Sequence, residues 1–537
     1  MREKTLSFIL LFTILIGVFS VLLPNRAAAG AIFVPKWEKA FGGMGDEEAQ
    51  SIVNASDGGY LVGGTTTSFG EGNRDFWVVK VDESGDMEWN QTYRGSGDDW
   101  LRSVLAASDG GYVLAGFTTS WGAGDKDVFV VKIDSTGTVE WNFTYGWYEW
   151  DGVESAIEAS DGGYVLPGTT RSYAVGGEDA LLIKINSTGF LDWNKTYAGP
   201  SFDRFYNVAQ TADGGFMCSG WTRSYGEGGG TYWNSWLVRT DSSGNALWNV
   251  TYGGPYDDAA WGMVKAGNDE YVFAGTFGYY GSSGNAWWFK TNSSGNLMWN
   301  ITSGGKGLAG MYSIANANDG GFALCGNTRS ISQSGWDVWL VKTNASGSIE
   351  WNATYEGTND DRAYSVVNTA GGGYVAAGST NSLGSGGNDF LLVKFGPDAL
   401  APELGAPFQD PPRNNVQPNQ NVTISVNVTD AESGAKNATL FYLLDNGTTW
   451  EEPVPMNLNT TSGLYEGTIP GQPIGTWVRF KIAAFDKAGN NVTKDGTSVD
   501  YTYVIVPEFP SFLILSLFMI ATLLAVIAYR RKYCQTD

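Results

Sequence analysis

Residues 99–145 read DWLRSVLAASDGGYVLAGFTTSWGAGDKDVFVVKIDSTGTVEWNFTY, and this stretch decides the fold. Four short runs rich in β-branched and aromatic residues are separated by DGG, WGAGDK and STG, the grammar of four strands joined by hairpins and a longer loop. No apolar spacing of helical period runs through it. The same sentence recurs along the chain: tryptophans of its last run stand at Trp37, Trp89, Trp141, Trp193, Trp248, Trp299 and Trp351, 51 to 55 residues apart. Four-stranded antiparallel units at a period of about 50 residues are the blades of a β-propeller.

Counting strands predicts how the ring closes. Inner three-strand sets begin at Glu47, Asp99, Asp151, Asp203, Asp258, Ala309 and Asp361, and the last ends at Lys394-Phe395-Gly396-Pro397 with no Trp run after it. An orphan Trp run, Lys36 to Phe41, precedes the first set. It is expected to complete the seventh blade as its outer strand, because an open stack would leave strand edges unpaired. With strands named A to D from the axis outwards, the D-to-A and B-to-C connections share one face, the loop face. The tight A-to-B and C-to-D turns share the other. Asp57-Gly58, Asp109-Gly110, Asp161-Gly162, Asp213-Gly214 and Asp319-Gly320 are read as structural turn residues, since glycine supplies positive φ. Function is expected on the loop face, where length and chemistry vary.

After strand C comes Asp82-x-x-Gly85-x-x-x-Trp89, recurring as Asp134 to Trp141 and Asp241 to Trp248, with Asn at Asn186, Asn292 and Asn344. This resembles the repeat of quinoprotein-type propellers. The resemblance implies a blade framework and no activity: those enzymes use eight blades, a vicinal disulfide and a calcium-bound quinone, and no adjacent cysteine pair occurs here.

The expected domains are a signal peptide at 1–29, the propeller at 36–396, a Pro-rich linker at 397–420, a β-sandwich at 421–506 and a sorting tail at 507–532. Arg2, Lys4, an apolar run to Leu23 and Ala27-Ala28-Ala29 read as the export signal. The sandwich region carries strand-like runs such as NVTISVNV and WVRFKIAAFD. Its stretch Ala483 to Asn490 is similar to a signature of immunoglobulin- or fibronectin-like modules on microbial surfaces, which implies a spacer. Phe512 to Ala528 is an apolar run of 17 residues followed by Arg530-Arg531-Lys532. As a helix it would rise about 25 Å, enough for a thin bilayer, with the basic end in the cytoplasm and all before it outside. Pro507-Glu508-Phe509, the span and the basic end resemble the PEF-CTERM tail of archaeal surface proteins. That implies processing by an archaeosortase-type enzyme and transfer to a lipid anchor; a plain transmembrane anchor is the alternative.

Composition narrows the function. Net charge is −23 and only 17% of residues are charged, which argues against nucleic acid as a partner. Histidine is absent, removing the usual general base and the commonest zinc ligand. The three cysteines are expected to form no bridge.

Two constellations on the loop face invite chemistry. Glu47, Asp99, Asp151, Asp203, Asp258 and Asp361 occupy equivalent positions before the innermost strand; as a ring around the channel mouth they would offer oxygen ligands to calcium, and as single residues they would cap their own loops. Trp121, Trp147, Trp150, Tyr225, Tyr232, Trp233, Phe277, Tyr279 and Tyr280 lie in or beside the variable loops and suit sugar rings or a protein interface. Asn90, Asn142, Asn194, Asn249, Asn300 and Asn352 follow the outer Trp in W-N-x-[ST] sequons, expected to carry glycans on the circumference. The sequence thus favours a membrane-anchored extracellular binding or adhesion protein with a glycan or surface-protein ligand. A polysaccharide-active enzyme using paired carboxylates and a structural envelope component are the alternatives. No catalytic residue is assigned, and calcium is the one cofactor considered.

Overall fold

The computed structural model describes residues 32–505 and 519–527, excepting 72, 227–229, 268, 281–282, 305–307, 330–334, 445–449, 489 and 496–500. It divides into two compact units, Phe33–Pro397 and one that contains Asp398 onwards.

The first unit is a seven-bladed β-propeller. Each blade is an antiparallel sheet in sequence order, as in Glu47–Asn54, Tyr60–Thr66, Asp75–Val81 and Met87–Tyr93 for blade 1. Blade 7 breaks that order: Phe33–Phe41 pairs antiparallel with Asp389–Pro397, so the first strand of the chain is the outer strand of the last blade. Pairing runs from Phe33 opposite Pro397 to Phe41 opposite Phe390. Packing closes the ring as well, since Phe390 and Leu392 of blade 7 share one apolar cluster with Val62, Trp77 and Val79 of blade 1. Strands B and C are buried at every position in blades 1 to 4 and 6, as in Tyr112–Thr118 and Asp127–Ile133, because both faces of each blade are covered by its neighbours. That is why they read as continuous apolar runs instead of alternating.

The repeated motif between strand C and strand D is an inter-blade latch. Gly137 has φ +88° in the turn of blade 2, and a Cβ there would fall 3.0 Å from the Trp89 ring of blade 1. The indole therefore packs flush on the glycine, and Tyr93, four residues after Trp89, donates its hydroxyl to the Gly137 carbonyl at 2.8 Å. Tyr197 makes the same bond to Gly244 at 2.7 Å, and Tyr145 the same to Gly189. The turn aspartates have a second task beside their glycines. Asp109 lies 2.8 Å from the buried Lys132 ammonium, with Glu140 at 2.9 Å, and Lys80, Lys184 and Lys342 repeat this arrangement with their own turn acids. A buried ammonium requires such partners.

In the second unit, Val422–Val426, Ala435–Leu444, Val454–Asn459, Leu464–Ile469 and Trp477–Asp486 enclose a core containing Ile424, Leu440, Phe480 and Ile482. The stretch expected to be a linker is partly built into this unit. Glu403–Leu404 pairs with Val428–Thr429, Phe408–Asp410 pairs with Val422–Val426, and Val416 is fully buried in the core. Prolines there interrupt short edge strands without preventing them, because an edge strand can spare a donor.

The signal peptide and residues 512–518 and 528 of the expected membrane span lie outside the described residues. Residues 519–527 of that span are helical, with Met519, Ile520, Leu523 and Leu524 exposed. No helix among the described residues is long and apolar enough to cross a membrane.

Candidate functional site: the axial channel and its loop-face mouth

The channel is built by a defect repeated in the inner strands. In strand B of blade 2, a Cβ at Gly116 would fall 1.9 Å from the Trp100 carbonyl oxygen, so only glycine lets the inner strand approach. The inner strand bulges directly beyond, its register slipping between Leu101 and Ser103. A bulge re-aims the extra residue. The bulged residue is Gln50 in blade 1, Arg102 in blade 2, Tyr206 in blade 4, Trp261 in blade 5, Tyr312 in blade 6 and Tyr364 in blade 7. In blade 3 the inner strand breaks altogether after Val153, where Pro167 of strand B has no N–H to give, and Glu154 takes the equivalent place. All seven residues line one axial cavity of about 250 Å³.

The wall of that cavity is two-sided. Tyr206, Trp261, Tyr312 and Tyr364 form a continuous aromatic arc, with ring centroids 4.8, 6.3 and 5.8 Å apart in turn. Opposite them stand Gln50, Arg102 and Glu154, the last two 3.5 Å apart. Burial pushes the Tyr206 and Tyr312 phenols up, and Tyr364 is pushed up to about 12, so all three hydroxyls stay neutral donors at physiological pH. Small polar groups next along the strand stitch neighbouring blades together: Ser51 Oγ accepts from Val104 N at 3.0 Å, and Asn207 Nδ2 donates to Trp261 O at 2.6 Å.

At the loop face the channel opens into a rim where indoles alternate with guanidinium groups. Glu178, buried, receives Arg171 at 2.6 Å and Arg204 at 2.5 Å. The same two guanidiniums lie over Trp150, at 5.3 and 4.8 Å from its centre. Arg204 also faces Trp221, which stacks on Trp233 at 5.0 Å, and Arg223 covers Trp233 at 5.3 Å. Across the mouth, Arg329 and Arg362 flank Trp336 at 4.6 and 5.7 Å, and Lys126 lies 4.2 Å over Trp100. Arg171 and Arg204 turn their N–H edges to Glu178, and Arg362 to Asp360 at 3.1 Å, whereas Arg223 and Arg329 make no ion pair among the described residues and are held by stacking. Six of the chain's 33 lysines and arginines stand at this rim: Lys126, Arg171, Arg204, Arg223, Arg329 and Arg362.

The aromatic residues singled out from sequence divide accordingly. Trp150 and Trp233 belong to the rim. Tyr232 meets Tyr256 at 5.8 Å, and Tyr256 meets Tyr280 at 5.1 Å, making a tyrosine row on the same face; Tyr279 is exposed in the same hairpin as Tyr280. Trp147 packs edge-on against Tyr173 at 4.7 Å. Trp121 lies on Phe129 at 5.0 Å, Tyr225 on Trp236 at 5.6 Å and Phe277 on Trp287 at 5.4 Å, each within its own blade.

The six ring acids are buried beneath the loops, and none lines the axial cavity. Asp99 accepts from the Gly95 N–H at 2.9 Å, the Ser120 hydroxyl at 3.1 Å and the Thr118 hydroxyl. Asp151 and Asp203 repeat this with Ser172 at 2.7 Å and Ser224 at 2.6 Å, Asp361 with Thr380 and Ser382 at 2.5 and 2.8 Å. Glu47 reaches the Gly43 N–H at 2.7 Å, and Asp258 the Gly254 and Gly278 N–H groups at 2.6 and 2.7 Å. This is the bonding of loop caps, one in each blade but the sixth, where Ala309 takes the position. Burial pushes the carboxyls of Asp99, Asp151, Asp258 and Asp361 up. The sequon asparagines Asn90, Asn142, Asn249, Asn300 and Asn352 are exposed on the outer strands, and Asn194 is half-buried. Cys218 and Cys325 are buried free thiols; Cys534 and Pro507 to Phe509 lie outside the described residues.

Sequence reasoning missed the bulge residues and the arginine half of the rim. The signal was present: the fourth residue of each inner run, counted from the ring acid, reads Gln, Arg, Glu, Tyr, Trp, Tyr, Tyr. It changes chemistry from blade to blade where a blade-building position keeps it.

No family model matches the chain, and no curated protein matches it. Among solved structures, the WD40 domain of Neurospora crassa Pan2 is similar at 10% identity and a TM-score of 0.43, over 67% of this chain and 95% of that one. An ancestral GH74 enzyme is similar at 10% identity and a TM-score of 0.39, over 85% of this chain and 63% of that one. An endo-1,5-alpha-L-arabinanase from Thermotoga petrophila is similar at 10% identity and a TM-score of 0.24, over 73% and 94%. Likeness at this level names no function. The seven-bladed architecture rests on the strand pairing itself, and the chemistry has to be read from the channel.

Proposed function

We propose that this chain is a non-catalytic carbohydrate-binding protein of the cell surface, and that its ligand is an acidic glycan held at the loop-face mouth. The observation that carries this reading is the two-sided axial cavity beneath an indole–guanidinium rim. Aromatic faces suit the C–H faces of a sugar ring, neutral phenols and Gln50 suit its hydroxyls, and stacked guanidiniums suit carboxylate or sulfate groups. A cavity of about 250 Å³ fits one terminal ring better than an internal stretch of polymer. Export, membrane anchoring through the C-terminal tail and glycans at Asn90, Asn142, Asn194, Asn249, Asn300 and Asn352 are supported by the sequence. On this reading the glycans cover the circumference and leave the loop face as the bare contact surface. The second unit is read as an immunoglobulin-like spacer.

The enzyme reading needs a pair of available carboxyls. The channel and rim offer Glu154, Glu178, Asp360 and Glu48; guanidinium groups engage the first three, and Glu48 accepts a hydrogen bond from the Tyr364 hydroxyl. Binding is therefore the better supported reading. The test is a glycan array and a polysaccharide-degradation screen on the purified full chain, neutral and acidic sugars side by side. Arg329→Ala and Tyr312→Ala should each weaken binding of acidic sugars by about tenfold or more, in the range of a lost cation–π or hot-spot contact. Unchanged binding in both variants rejects the site. Cleavage of any polysaccharide by the parent protein rejects the non-catalytic reading.

A further inference from the structure

A second site lies in the C-terminal unit. Asp398, Asp430 and Asp486 come from three separate segments: the start of the unit, the loop after Val428–Thr429, and the end of Trp477–Asp486. One carboxylate oxygen from each falls within 4.8 Å of the others. Among the described residues this is the one such grouping of acidic, cysteine or histidine side chains. Asp486 is fully buried, and its Oδ2 has no hydrogen-bond partner. Among the described residues, no lysine or arginine lies within ion-pair distance of Asp430 or Asp486.

We infer that these three carboxylates form a calcium-binding site. The bonding around them is that of preorganised ligands. In each, Oδ1 is pinned by backbone N–H groups: Leu400 at 3.1 Å for Asp398, Gly434 at 2.7 Å for Asp430, and Asn490 at 2.8 Å for Asp486. The Asn490 amide donates in turn to the carbonyls of Asp398 and Leu400, at 3.2 and 2.9 Å, tying the first segment to the last. These contacts fix where the carboxylates point, as outer partners do around metal ligands. All-oxygen donors select a hard cation. Oxygens at calcium's usual 2.3–2.6 Å lie at most about 5 Å apart across the ion, so three oxygens within 4.8 Å of one another can meet it; magnesium gives up its waters reluctantly and is seldom held by an all-protein set of carboxylates. Three clustered carboxylates, one of them fully buried, repel one another, and a divalent cation is the partner that reverses this sign. Bound there, calcium would fasten residues 398–400 to the loops at 430–434 and 486–490.

Calorimetric titration of the purified, chelator-treated full chain with calcium, then magnesium, tests the site. One calcium should bind in preference to magnesium, and amide exchange at 398–404 and 486–491 should slow on binding. Asp430→Asn, at a half-exposed position that keeps its Oδ1 acceptor, should weaken calcium by about tenfold or more, and Asp486→Asn should do the same. Asp99→Asn and Asp151→Asn in the propeller should leave calcium binding unchanged. No calcium heat at millimolar concentration overturns the inference. So does binding that survives both Asp430→Asn and Asp486→Asn.

Discussion

Single residues in this protein act by what they omit. Gly137 omits a Cβ so that Trp89 of the preceding blade can lie on it, and Tyr93 then bonds the exposed carbonyl. Tyr93→Phe removes that bond and leaves the carbonyl unpaired, a change expected to cost about 1–2 kcal/mol. Gly137→Ala meets both the Trp89 ring and an unfavourable φ, so it should cost more than Tyr93→Phe. Chemical denaturation of the two variants beside the parent measures the order; a milder Gly137→Ala would remove the latch as the reason for the motif. The same logic governs Gly116, whose missing side chain admits the bulge that turns Arg102 to the axis.

At the scale of the element, the strand Phe33–Phe41 carries more than its length suggests. It supplies the whole outer edge of blade 7, and Phe33 stacks on Trp351 of blade 6 at 4.1 Å with ring planes 8° apart. Deleting residues 33–41 bares the edge of Asp389–Pro397 and uncovers the Trp351 ring. An uncovered edge recruits another chain. The truncated protein is expected to lose its monomer peak in size-exclusion chromatography, and its melting temperature should fall by ~10 °C or more, the shift for a loss of several kcal/mol in a domain of this size. A monomer of unchanged melting temperature would show that closure is not what stabilises the ring.

For the whole molecule, sevenfold repetition turns a local choice into a global property. Asp99, Asp127, Asp151, Asp179, Asp258, Asp361 and Asp389 are all pushed above their ordinary 3.8 by burial. Between 3.8 and those raised values the folded propeller binds more protons than the unfolded chain, so its stability falls as pH rises through that window. Turn acids act in the other direction. The Lys80 ammonium holds Asp57 below 3.8, and the Thr211 hydroxyl, the Gly215 N–H and Arg239 hold Asp213 down to about 2. Their contribution is lost as pH falls below 3.8. Thermal unfolding across pH 2–8 should therefore show stability rising on acidification from neutrality, a maximum near or above pH 4, and a fall below it. A steady decline from pH 7 to pH 4 would contradict the burial of the ring acids.

What the sequence determined by itself was everything that repeats. Blade number, strand order, the turn glycines and the closing strand Lys36 to Phe41 were legible because each blade buries the same faces against the same neighbours, so the same residues recur and can be counted. The tertiary structure alone decided what breaks the repeat. The ring acids are open to two readings in the sequence, a calcium-binding ring and single loop caps, and the structure decides for the caps: Asp99 is taken up by Gly95, four residues before it, and by Thr118 and Ser120, 19 and 21 residues after it. The bulge residues look like ordinary strand positions until Gly116 and its equivalents push them to the axis, where seven distant blades meet. Asp398, Asp430 and Asp486 share no motif, and only the folding of three separate segments brings their carboxylates together. A site assembled from residues distant in sequence leaves no local pattern, because its spacing is set by packing and not by the chain.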